Sequence, residues 1–171
     1  MKRKLLAMCG IITCLTLSLA HKEVSAAGTT SITLQHFVIN GSMYYQSSSK
    51  YTSYLSYGAN TWNSYVGNVI KSGESSGRCY CSIYDTYYSG GIAARTIYST
   101  GQMECNTFIL DTYGWTEKVK TFAHEFGHTL GCGENNCASY NVMYPIMGIN
   151  MGSRTLSVND KASVDLARTY W

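Results

Sequence analysis

The chain predicts an α+β fold, with strands first and helices packed against them. Three observations carry this. Runs of β-branched and aromatic residues, each of strand length, alternate with Gly, Asn and Ser turns through the first two-thirds of the chain. Two stretches, 50–68 and 116–130, space their apolar residues at the helical period. A third, from Ser157 to the C-terminus, opens with a helix-capping pattern.

At the N-terminus, Lys2, Arg3 and Lys4 precede an apolar run over 5–20. Small residues at 24–27 then offer a signal-peptidase site, so 1–26 reads as a secretory signal cut after Ala26 or Ala27. The run is shorter than the ~20 residues a membrane span needs, and no stop-transfer flank follows it. Neither Cys9 nor Cys14 sits in a lipobox. Removing 1–26 takes four basic and one acidic residue from the thirteen and ten of the full chain, leaving nine of each. The basic balance therefore belongs to the leader, and no basic patch argues for nucleic acid or an anionic membrane. Residues 27–171 form one domain of ordinary size, expected to be secreted and monomeric.

Residues 32–39 read as a buried strand that Asn40-Gly41 ends, with His36 a strand side chain and only a reserve metal ligand. Ser47, Ser48 and Ser49 supply an N-cap for the helix over 50–68, whose stripe is Tyr51, Leu55, Ala59, Trp62, Val66 and Ile70. Residues 72–77 are a polar, Gly-rich loop. Strands follow over 79–88, 92–98 and 103–110, with Gly90-Gly91 as a turn. Five cysteines lie beyond the leader: Cys79, Cys81, Cys105, Cys132 and Cys137. In an oxidising compartment they are expected mostly to form disulfides. Cys132 could join Cys137 and Cys105 could join Cys79 or Cys81; the spacing leaves the connectivity open, and the odd one is expected to be a buried thiol.

Thr116 caps the next helix and Glu117 favours its positive end. Val119, Phe122, Ala123, Phe126 and Leu130 form its apolar stripe, and His124 and His128 point more than about 100° away from it. Two histidines four apart share a helix face and can bind one metal ion, while Glu125 between them can reach a water at that ion. Gly131 stops the helix, so the chain can double back and bring Glu134 as a third ligand. Cys132, Cys137, Asn135 and Tyr140 are the other candidates for that position. Farther on stands Asn141-Val142-Met143-Tyr144-Pro145.

The run from His124 to Glu134, followed by this methionine turn, resembles the metzincin metallopeptidases, and its Met-Tyr-Pro form the matrixin branch. It departs from them in carrying Glu134 where a third histidine is usual; the snapalysin branch has an aspartate there. The resemblance implies a zincin-like twisted mixed β-sheet with an active-site helix, a backing helix and a C-terminal helix. It implies one catalytic zinc ion on His124, His128 and Glu134, with Glu125 as general base. It also implies Met143 as a hydrophobic floor, Tyr144 and Pro145 as the start of a specificity-pocket wall that 146–150 completes, and an edge strand over 92–98 that pairs with substrate. The Leu156-Ser157 start and Asp160 resemble the matrixin C-terminal helix, where Val164, Leu166, Ala167, Tyr170 and Trp171 dock it. The function so implied is a secreted zinc endopeptidase acting on extracellular proteins or peptides. The rival is a zinc-binding module, weakened by the change at Glu134, that holds a protein partner in the same cleft.

Overall fold

The computed structural model describes residues 29–137, 140–145 and 155–171; the expected leader over 1–26 and the expected pocket wall over 146–150 lie outside them. Five strands make one mixed sheet: β1 (Met43–Ser47), β2 (Ile70–Ser72), β3 (Cys81–Thr86), β4 (Ala94–Ile97) and β5 (Gln102–Asn106). Their order is β2-β1-β3-β5-β4, parallel throughout except that β4 runs antiparallel to β5 at one edge. Helices are α1 (Thr52–Val66), the short α2 (Thr107–Leu110), α3 (Trp115–Thr129) and α4 (Val158–Ala167), which runs into a 3-10 turn.

Side chains alternate along each strand, so Met43, Tyr45, Cys81, Ile83, Met103 and Cys105 all enter the core. α1 and α3 cover that face with Leu55, Ala59, Trp62, Val66, Phe122, Ala123 and Phe126. The Trp62 indole donates to Ala123 O at 2.6 Å, joining the two helices. On the opposite face the alternation is polar: Tyr84 donates to Glu104, which also pairs with Arg95. One face of the sheet is therefore covered by these helices and the other is wetter.

The expected strand over 32–39 is not a strand. Only Ile32 and Ile39 make isolated bridges, to Cys132 and Ser42. The segment instead straps the end of α3, where Thr33 N and Phe37 N donate to Gly131 O and Thr129 O, each at 2.8 Å. The last carbonyls of a helix have no internal partner, and this segment supplies one. The strand expected over 103–110 stops early because the Asn106 side chain accepts Phe108 N at 3.2 Å and turns the chain into α2. Caps also shift: Tyr51 and Gly114, not the serines or Thr116, stand at the N-caps of α1 and α3. Ser49 does accept Tyr51 N at 3.2 Å. The C-terminal capping box forms as expected, with Ser157 and Asp160 bonding reciprocally. α4 buries Val164 and Ala167, whereas Leu166 and Tyr170 are exposed.

The expected disulfides are absent: all five described cysteines are free thiols. Register explains why. Cys81 pairs with Tyr45, and Cys105 stands opposite Asp85, four residues further along β3. That offset is about 13 Å along the strand, beyond the reach of a disulfide. Cys79 Sγ instead lies 3.1 Å from Gln46 N. Cys132 is buried while Cys137 is exposed.

Candidate metal centre

α3 brings the two histidines together because its apolar stripe faces α1 and the sheet, leaving the His124–His128 face toward a cleft. The helix ends at Thr129, and Gly131 adopts φ +93°, a left-handed conformation that lets the chain reverse. The reversal carries Glu134 back over the helix. His124 Nε2 and His128 Nε2 are 3.1 Å apart, and Glu134 Oε1 lies 3.4 Å from each.

The other ring nitrogens are fixed by backbone. His124 Nδ1 donates to Val142 O at 2.9 Å, and His128 Nδ1 to Cys132 O at 3.0 Å. A carbonyl only accepts, so both Nδ1 atoms carry hydrogen, and a ring in its metal-binding form turns an Nε2 lone pair inward. Two lone pairs and a carboxylate oxygen at such distances repel unless a cation lies between them. Four tetrahedral ligands at ~2.0–2.1 Å from zinc stand roughly 3.3 Å apart, so the donor set fits that ion.

The site's charges respond accordingly. Burial opposes the charged form of His128, but Glu134, Glu125 and the Cys132 carbonyl outweigh it and raise its pKa. Burial likewise raises Glu134, yet the two imidazoles prevail and hold it down at about 2. The carboxylate is thus ionised throughout the neutral range.

Glu125 is buried but stands outside this trio, on the wall of a cleft of about 500 Å³ between α3 and edge strand β4. The Thr96 hydroxyl from β4 donates to Glu125 Oε2 at 2.8 Å and lies 3.1 Å from the Glu125 carbonyl oxygen. Two residues on, Tyr98 donates to His128 O at 3.2 Å. Pro145 lines the cleft and Tyr144 does not; the Tyr144 N–H donates to Asn141 O at 3.3 Å.

Met143 is fully buried against α3 at Gly127. Gly127 makes room for it: a Cβ there would run into Met143 Sδ and come within 2.7 Å of Trp62. Asp160 anchors the turn by accepting Val142 N at 2.9 Å and Met143 N at 3.1 Å, in addition to its capping bonds. Sequence reading found Asp160 as a cap and missed this second task, which depends on how α4 docks.

The other candidates are not brought to the trio. His36 Nε2 lies 3.0 Å from Tyr170 O. Asn135 is consumed in bonds to Thr29, Cys137 and Asn141. Tyr140 is exposed, and burial keeps the Cys132 thiol protonated by raising its pKa. Among the described residues, His124, His128 and Glu134 are the one group of three or more such side chains placed to share an ion. Thr96 and Tyr98 were missed as contacts to the helix; their i, i+2 spacing in the strand expected over 92–98 was the available signal.

The chain matches no protein-family model and no curated protein. Its fold is similar to that of archaemetzincin. In the crystal structure of that protein from Methanopyrus kandleri, the match has a TM-score of 0.47 at 14% identity, covering 77% of this chain and 96% of that one.

Proposed function

We propose that the protein is a secreted, zinc-dependent endopeptidase of matrixin-like type that cleaves extracellular proteins or peptides. The observation that supports this best is the convergence of His124 Nε2, His128 Nε2 and Glu134 Oε1 at 3.1–3.4 Å beside a carboxylate that is not one of them. These three residues would hold the ion, which when bound supplies Lewis acidity toward a carbonyl and toward water. Glu125, adjacent in the cleft wall, takes the proton from the attacking water and passes it to the leaving amine. The exposed edge of β4 seats the substrate backbone as an added strand, and Pro145 is part of the cleft lining. The Val142 and Cys132 carbonyls keep both imidazoles turned toward the site throughout.

The test compares the purified zinc-loaded chain with its Glu125→Ala variant on a diverse mixture of denatured proteins, reading cleavage sites by mass spectrometry. Cuts made by the parent and absent from the variant support the peptidase and reveal its side-chain preference. One zinc per chain with no cuts points instead to a zinc-binding module. Failure to bind zinc sinks both.

A further inference from the structure

We infer that Thr96 is a positioning residue for Glu125, so that the edge strand on which substrate is seated also aims the general base. The inference rests on the peptidase reading above. Its geometric basis lies in β4. Thr96 lies within β4 and Tyr98 one residue past its end, and the hydroxyls of both reach α3. Their hydroxyls meet residues 125 and 128, one helical turn, through Thr96 to Glu125 and Tyr98 to His128. Strand and helix are thus clipped together at the two positions where the chemistry is placed.

The Thr96 contact differs in kind from the Tyr98 one, which reaches backbone only. Thr96 Oγ1 lies 2.8 Å from the Glu125 carboxylate oxygen and 3.1 Å from the carbonyl oxygen of the same residue. A hydroxyl has one proton to give and lone pairs to receive. The carboxylate oxygen is the nearer of the two acceptors, so the hydroxyl holds the Glu125 side chain in one orientation on the cleft wall. Glu125 is itself 5% exposed, so water is a poor substitute for that partner.

The same arrangement couples substrate seating to catalysis. Displacing β4 outward would withdraw Thr96 from Glu125, so the base is aimed only when the strand is in place. Side-chain packing at Thr96 alone would be satisfied by valine, which has the same shape and no hydroxyl.

Two measurements test the inference, on Thr96→Val and Thr96→Ser. In kinetics, Thr96→Val is expected to lower kcat about 10–100-fold with KM within about twofold, and Thr96→Ser to restore most of it. The second readout needs no turnover: denaturation midpoints of wild type, Thr96→Val, Glu125→Ala and the double variant, all at saturating zinc. A hydroxyl bonded to the carboxylate makes Thr96→Val shift the midpoint in the parent and much less in the Glu125→Ala background. A hydroxyl that serves only the backbone carbonyl gives the same shift in both, and that result overturns the inference. So does a Thr96→Val enzyme with wild-type kcat. A wild type that cleaves nothing would overturn the peptidase reading, while the midpoints still decide whether Thr96 holds Glu125.

Discussion

Asp160 holds Met143 in place: its buried carboxylate accepts the Met143 N–H at 3.1 Å and, through the other oxygen, the Val142 N–H at 2.9 Å. Val142 O in turn takes the Nδ1 hydrogen of His124. One carboxylate on the C-terminal helix therefore sets the orientation of a histidine eighteen residues before the turn it grips. Asp160→Asn places an amide NH₂ among these donors. It should destabilise the protein by about 2–4 kcal/mol in a denaturant titration. Zinc affinity should fall about 10–100-fold in a chelator competition, because the ligand's supporting carbonyl is loosened.

Gly127 and Met143 share one small space. Gly127→Ala puts a methyl group where Met143 Sδ and Trp62 now lie. The neighbours are core side chains, so the expected cost is about 1–3 kcal/mol of stability. Pairing it with Met143→Ala should recover part of that loss. Additive midpoints in the double variant would show that the two positions do not compete for the same volume.

Thiol chemistry checks the unpaired cysteines. Cys137 is exposed, Cys79 half-buried, and Cys81, Cys105 and Cys132 buried. Burial pushes Cys105 up to about 12 and raises Cys81 and Cys132 as well, so these three stay as unreactive thiols. A thiol reagent should label Cys137 quickly in the native protein and Cys79 more slowly. The three core thiols should react only on unfolding. Protein that stays unlabelled in denaturant until a reductant is added would instead reveal disulfides.

The zinc-free protein should have a stability contribution from the His128–Glu134 pair that peaks in mildly acidic solution. Glu134 is depressed from 4.5 to about 2, so its share is present above 4.5 and is lost as pH falls toward 2. His128 is raised above 6.5, so its share is present below 6.5 and is lost as pH climbs through the higher folded value. Both are complete between about 4.5 and 6.5. Zinc must displace the His128 proton, so zinc affinity should weaken as pH falls below that raised pKa. Melting curves with a chelator, and zinc competition across the same pH range, read the two trends. A chelated protein with flat stability from pH 3 to 8 would count against the pair.

What the amino-acid sequence determined by itself is local. The spacing of His124 and His128 places them on one face, the stripe from Val119 to Leu130 chooses the other face, Gly131 ends the helix, and Ser157 with Asp160 starts the last one. Each depends on residues within about one helical turn, where backbone geometry leaves little choice. The tertiary structure decided the rest. Residues 32–39 look like a strand by composition, but the free carbonyls at the end of α3 claimed them. The cysteines look ready to pair, but strand register set Cys81 and Cys105 too far apart. Which loop residue joins the two histidines, and which hydroxyl meets Glu125, follow from how the 131–134 reversal and β4 dock on α3. Thr96 and Glu125 are 29 positions apart. Even Glu134, closer in sequence to the histidines, meets them only through the fold of the loop between, so packing fixes these distances.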